Sequence, residues 1–242
     1  MSGLEPADIS KFANAIMVND NITNEATSVY IDYDYGKSHR KISVADQVTI
    51  PLNGVDYKFD IIGFKHDQWS PQTYTPQESE ISVASDTSLS IYKAGITFQM
   101  HDCFATNHSM NSSNTNSGGW ANSLMRTSTM VTMANYLPTA WQQILKRAFK
   151  DYQTLDWCFL LSEMEVFGVN TYASDDTYTN KQYAYYKAGN SKVKNMNGYA
   201  SHWYERSPQS GSSNEFCMVA RNGSASCTNV TLYPGTAFGF CV

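Results

Sequence analysis

The chain has 242 residues, only 16% of them charged, and a formal net charge of −5. That length buries a substantial core without deciding between one domain and two, and the acidic balance argues against broad nucleic-acid or anionic-membrane binding. Ser, Thr, Asn and Tyr stand where charges are usually found, the composition of neutral, hydrogen-bonding binding faces.

In chain order, Ile9, Phe12, Ala13 and Ile16 form a short amphipathic helical pattern that runs into Asn19-Asp20-Asn21, and Ser28 to Tyr35 alternates like a strand. Residues 1–40 are expected to form an N-terminal extension or attachment segment. Met1 to Met17 carries Glu5, Asp8 and Lys11 where a signal peptide has a continuous apolar core. With no stretch of membrane-spanning length, the chain is expected to be made in the cytoplasm, with no signal peptide and no membrane insertion. Residues 41–67 read as strand–turn–strand about Asn53-Gly54, the strongest short hairpin signal. Residues 68–90 are polar and rich in Pro, Ser and Thr and read as a loop or insertion. Ile96, Phe98 and Met100 alternate as a further strand.

A helical region follows. Trp120, Leu124, Met125, Met130, Met133 and Tyr136 keep helical spacing, and Pro138 suits the first turn of a helix carrying Trp141, Ile144, Leu145 and Phe149. Asp156 to Phe167 reads as a buried strand pair or strand–turn. Asp175 to Gly198 is polar and Tyr-rich, and the remainder reads as short strands with Gly and Ser turns. With no Rossmann alternation, P-loop or solenoid repeat, the expected class is α+β: small antiparallel sheets with two or three helices.

Several residues invite chemistry. His66-Asp67 and His101-Asp102 repeat a pair found in metal sites and hydrolases, but both end strand-like segments, where Asp caps turns and His bonds the backbone. Glu163 and Glu165 share one face if they lie in a strand. No nucleophile or oxyanion donor accompanies them, so a hydrogen-bonding role with Arg126 or Arg206 is expected. Glu205-Arg206 is read as a structural anchor, with Arg bridging to backbone carbonyls. The five cysteines (Cys103, Cys158, Cys217, Cys227 and Cys241) lack zinc spacing and are expected as buried reduced thiols. A Cys217–Cys241 bridge stays open. No metal or cofactor is expected.

The last forty residues carry the most information. Trp203, Phe216, Val219, Phe238 and Phe240 alternate with small or polar residues that have no period of their own, as on a fixed scaffold with an adaptable face. Ala237 to Val242 reads as a closing core strand.

The ordered series Ile62-Gly63-Phe64 with His66-Asp67, Gly95-Ile96-Thr97, Met100-His101-Asp102, Gly118-Gly119-Trp120 with Met125-Arg126, Leu137-Pro138, Trp203 with Glu205-Arg206-Ser207-Pro208, Phe216-Cys217, Asn222-Gly223 and Phe238-Gly239-Phe240-Cys241-Val242 resembles the variable proteins of diversity-generating retroelements. More closely, it resembles the bacterial and phage kind with a C-type-lectin-like fold, related to the formylglycine-generating-enzyme fold. The resemblance spans residues 41–242. It implies a non-enzymatic protein that binds a protein or cell-surface ligand through residues 201–236, rewritten by mutagenic reverse transcription. It also implies fixed residues at Trp203, Glu205, Arg206, Ser207, Pro208, Gly211, Phe216, Cys217, Val219, Gly223, Phe238 and Cys241. The ligand-binding positions between them are His202, Tyr204, Ser213, Met218, Ala220, Arg221, Ser224, Ser226, Cys227, Thr228, Asn229, Leu232, Tyr233 and Thr236. Cys227 then reads as an exposed lone thiol that randomisation produces by accident. The lectin calcium triplets are missing from the sequence, so calcium-dependent sugar binding is not implied. A phage or prophage virion protein is expected, with virion assembly partners, or a surface protein exported by a non-classical route. The alternatives are a structural virion component without diversification and an enzyme of the formylglycine-generating or His-Asp type.

Overall fold

The computed structural model describes residues 4–33, 38–71, 92–151, 154–174 and 181–242. Most of the loop or insertion expected at 68–90, and residues 175–180 of the Tyr-rich segment, lie outside them. The first half contains α1 (Pro6–Val18), β1 (Ser28–Tyr33), β2 (Ser38–Ser43), β3 (Gln47–Leu52), β4 (Val55–Phe64), β5 (Trp69–Ser70), β6 (Ile96–Met100) and α2 (Gly119–Asn122). A π-helical stretch (Met125–Met130) then runs into α3 (Val131–Tyr136) and is followed by α4 (Thr139–Gln142). The second half contains β7 (Arg147–Asp151), β8 (Thr154–Asp156), β9 (Cys158–Phe159), α5 (Glu163–Phe167), α6 (Ala184–Lys187), β10 (Lys194–Met196) and β11 (Tyr199–Ser201). It closes with β12 (Trp203–Pro208), β13 (Glu215–Val219), β14 (Ala225–Asn229) and β15 (Gly239–Cys241). The class is α+β, built from small antiparallel sheets and mostly single-turn helices.

The organising element is a five-stranded antiparallel sheet in the order β3-β4-β6-β15-β9. Asn53 and Gly54 both take positive φ (48° and 84°), the two-residue turn that matches strand twist. β15 lies between β6 and β9, so Ala237 to Val242 supplies a central strand. Phe98 stacks on Phe240 with centroids 5.4 Å apart, and Trp141 meets both edge-on. Each such ring contributes about 1.5–3 kcal/mol by leaving water.

Ile9, Phe12, Ala13 and Ile16 of α1 are buried in the same core as Phe59 and Phe98. A Cβ built on Gly95 would lie 2.0 Å from the Ala13 carbonyl oxygen, so only glycine lets α1 lie so close. The boundary expected at residue 40 falls inside β2, whose whole length pairs with β1.

Two expected elements differ. The helix expected to carry Phe149 stops at Gln142, and Phe149 lies in β7. Its N–H bonds the Gln68 carbonyl (2.8 Å), and the Lys146 N–H bonds the Cys241 carbonyl (2.8 Å). Ladder pairing therefore overrides a spacing that mimics a helix. The second part of the expected strand pair, Glu163 to Phe167, is α5. It is started by a capping box in which the Ser162 hydroxyl accepts from the Glu165 N–H and the Glu165 carboxylate accepts from the Ser162 N–H. Among the described residues no helix is long and apolar enough to cross a membrane.

Candidate functional site

β12, β13 and β14 form a separate antiparallel sheet with β13 in the middle. Its first strand is a floor. Trp203, Tyr204, Glu205, Arg206 and Ser207 are all buried. Trp203 donates its indole N–H to the Lys192 carbonyl (2.9 Å). The edge strand β14 is half-buried along its whole length.

Of the fourteen expected contact positions, Ser213, Arg221, Ser224, Leu232 and Tyr233 are exposed, Leu232 at 53% and Tyr233 at 62%. His202, Ala220, Ser226, Cys227, Thr228 and Asn229 are half-buried. Tyr204, Met218 and Thr236 are buried and do not belong to a surface. Tyr204 faces Met218 across the ladder, and its hydroxyl donates to the carbonyls of Asn229 (2.8 Å) and Leu232 (3.2 Å). Residues 229 and 232 thus cap the Tyr204 side chain, while Gly235 pairs along the edge of β12 beside Trp203. Thr236 lies under residue 104, whose N–H bonds its carbonyl (2.8 Å).

Register divides the remaining positions. Glu215 faces Asn229 and Val219 faces Ala225, so Ser213 lies at one end of the sheet and the turn 220–224 at the other. At the turn end His202 joins Ala220, Arg221 and Ser224. Burial lowers the His202 pKa, and the nearby Arg221 charge lowers it further.

Cys227 is not a lone exposed thiol. It faces Cys217 directly across the β13–β14 ladder. Sequence separation hid this pair, and only a hairpin centred on Asn222-Gly223 would have revealed it. Cys241 belongs to the other sheet, where its thiol approaches Asp67 Oδ2 (3.4 Å), so the open Cys217–Cys241 pairing is not formed.

Beneath β12 lies a buried network of charges. Lys150, fully buried, donates to Asp67 Oδ1 (2.7 Å) and Glu165 Oε1 (2.6 Å). Arg206 pairs with the other oxygen of Glu165 and donates to the carbonyls of Lys150 (2.8 Å) and Leu160 (3.2 Å). Asp67 also accepts from Thr97 Oγ1 (2.6 Å) and from the Tyr183 hydroxyl (2.9 Å). Burial opposes ionisation of Asp67 more than any single neighbour favours it, but the Lys150 charge, His66 and the hydrogen bonds from both together hold the carboxyl well below its usual range. Burial likewise opposes charge on Glu165 and Lys150. Arg206 and Lys150 lower Glu165, while Asp67 and Glu165 raise Lys150. His66, Asp67 and Glu165 offer ligand atoms within 4.8 Å of one another. They are the described residues that could hold a metal ion, but the Lys150 ammonium already lies between the two carboxylates and supplies the charge such an ion would bring.

Glu163 and Glu165 lie in α5, and neither carboxylate is open for acid–base work. Glu163 accepts the N–H groups of Thr171 (3.0 Å), Tyr172 (3.0 Å) and Ala173 (2.8 Å). Arg126 pairs with Asp156 (2.6 Å). Glu205 is the exception. It is fully buried, and neither carboxylate oxygen has a hydrogen-bond partner among the described residues. Burial pushes its pKa well above the usual range, and Glu163 adds to the rise.

His101 accompanies an open cleft of about 310 Å³ lined by Tyr57, Lys58, Asp102, Asn195 and Asn197 among others. His101 Nδ1 meets Asp60 Oδ2 at 2.9 Å, and this hydrogen bond raises its pKa. Asp102 accepts the Asn195 N–H (2.7 Å). Neither His-Asp pair is a local turn cap: Asp67 is tied to Lys150, Tyr183 and Thr97, His101 to Asp60 and Asp102 to Asn195, all distant in sequence.

The geometry describes an α+β protein whose C-terminal sheet has a buried first strand, lying over a polar network, and a half-open edge strand. Residues 94–235, more than half of the chain, match the family described as a domain of unknown function, DUF6273, and the chain belongs to that family. No curated protein and no solved structure matches the chain.

Proposed function

We propose that this chain is a non-enzymatic binding protein with a C-type-lectin-like fold that displays adaptable side chains on its C-terminal sheet. The observation that carries this reading is the contrast within one sheet. β12 is buried from Trp203 to Ser207, while every residue of β14 is half-open and Arg221, Ser224, Leu232 and Tyr233 reach solvent. Side chains above such a floor can change without disturbing the backbone that holds them. Tyr and Arg among the open positions are hot-spot residue types, which favours a protein or cell-surface ligand. The display set is His202, Ser213, Ala220, Arg221, Ser224, Ser226, Thr228, Asn229, Leu232 and Tyr233. The ordered landmarks support diversification by a retroelement, and copies on a virion or cell surface would gain from multivalency.

Sequencing this locus across sibling isolates tests the reading. The expected result is variation confined to the open positions, aligned with adenines of a nearby template repeat, with Trp203 and Phe216 constant. An invariant segment without a template repeat would overturn diversification.

A further inference from the structure

The β13–β14 ladder holds two thiols in a geometry that the display reading does not use. At one end of the ladder the Val230 N–H bonds the Asn214 carbonyl (3.0 Å), and at the other the Ala220 N–H bonds the Ser224 carbonyl (2.8 Å). Each marks a hydrogen-bonded facing pair, and such pairs recur every second residue along an antiparallel ladder. Counting inward, 216/228 and 218/226 are hydrogen-bonded pairs, so Cys217/Cys227 is a non-hydrogen-bonded pair. In such pairs the Cα atoms lie about 4.5 Å apart and the side chains approach most closely. A disulfide spans Cα separations of about 4.4–6.8 Å.

We propose that Cys217 and Cys227 form a reversible cross-strand disulfide by exchange with a small-molecule disulfide such as oxidised glutathione, with Cys227 attacking first and Cys217 resolving. The order follows from access. Cys227 is half-buried on the edge strand, whereas Cys217 is fully buried, with Glu163 Oε2 3.9 Å from its sulfur. The Cys227 thiolate attacks one sulfur of the disulfide, forming a mixed disulfide and releasing one glutathione thiolate. Cys217 loses its proton and attacks Cys227 Sγ, releasing the second glutathione. Two protein thiols are oxidised and one disulfide is reduced to two thiols. In the mixed disulfide Cys227 no longer carries a thiol, and the burial of Cys217, which raises its pKa, makes the resolving step the slow one at neutral pH. The bond would fix the register of the hairpin that carries Arg221 and Ser224, and it forms whatever ligand that hairpin meets.

The test incubates the purified full-length chain with oxidised glutathione, alkylates remaining thiols in denaturant, and reads intact mass and linked peptides. The expected product has lost two hydrogens, carries a 217–227 linkage, and leaves Cys103, Cys158 and Cys241 alkylated. Cys217→Ser is expected to accumulate a glutathionyl adduct on Cys227, and Cys227→Ser to form neither adduct nor bond. Five alkylated thiols in the oxidised wild type, or a linkage joining any other pair, would overturn the proposal without recourse to a variant. An adduct on Cys217 in Cys227→Ser would overturn the order of attack.

Discussion

Two polar regions flank β12 and solve the burial of charge in opposite ways. Below it, Lys150, Asp67, Glu165 and Arg206 form a chain of alternating charge in which every carboxylate oxygen has a partner. Above it, Glu205 shares the sheet with Cys217 and Cys227 and finds no partner among the described residues. The lower region fixes the scaffold in one arrangement. In the upper region burial favours the neutral carboxyl, which finds no partner among the described residues. A paired network costs most when one member is removed, while an orphaned carboxyl costs least when it is neutral.

The largest effect is expected from breaking the lower network. Lys150→Met keeps the stem but takes from Asp67 and Glu165 the ammonium that lies between them, and the loss at neutral pH should be about 3–5 kcal/mol, read by urea denaturation. Both carboxyls are depressed in the folded protein. Their contribution is therefore present above the unfolded value near ~4 and is lost as pH falls through the folded value. The deficit of the variant should narrow on acidification. A deficit under about 1 kcal/mol at pH 7 would show that the network is not what holds the floor.

Glu205→Gln sharpens the same contrast from above. The folded pKa of Glu205 lies above its unfolded value, so its contribution is full below about pH 4 and falls as pH rises toward the folded pKa, by about 1.4 kcal/mol per pH unit. Gln cannot ionise. The variant should match the wild type in acid and exceed its stability increasingly at neutral and alkaline pH. Parallel stability curves would mean that Glu205 is solvated or paired.

The two regions were unequally legible in the sequence. Alternation and the Asn53-Gly54 turn exposed the five-stranded sheet, because one hairpin and two runs of apolar residues determine most of it. The lower network was only half visible. Arg206 bridging to carbonyls was readable, but Lys150 gave no signal, since a lysine between Phe149 and Asp151 looks like any surface lysine until β7 is placed against Asp67. Asp156 to Phe167 reads as a strand pair or strand–turn, yet Ser162 and Glu165 spell the capping box that starts α5. Among the contact positions, Tyr204, Met218 and Thr236 are buried. Nothing local to Tyr204 says that its hydroxyl meets the carbonyls of Asn229 and Leu232. Cys227 failed for the same reason, its partner being ten positions away across a turn.

A smaller effect is expected at the cleft. The His101–Asp60 hydrogen bond raises the His101 pKa, so its contribution is complete below the unfolded value near ~6.5 and is lost as pH rises through the folded value. His101 is 43% exposed, and solvent screening should hold the effect below about 1 kcal/mol. Asp60→Asn should return the NMR titration midpoint of His101 toward the ordinary value.

The smallest effect bears most directly on display. Arg221→Ala, Ser224→Ala and Tyr233→Ala remove side chains that reach solvent, and each should change thermal stability by less than about 0.5 kcal/mol. Trp203→Ala, by contrast, empties a fully buried site one strand away and should cost about 3–5 kcal/mol. The ratio matters more than either number. A surface that accepts sequence change must be decoupled from the core that carries it, so combined substitutions at 221, 224 and 233 should add without penalty. A combined loss approaching that of Trp203→Ala would mean that these side chains help to hold the hairpin, and such a hairpin could not serve as an adaptable face.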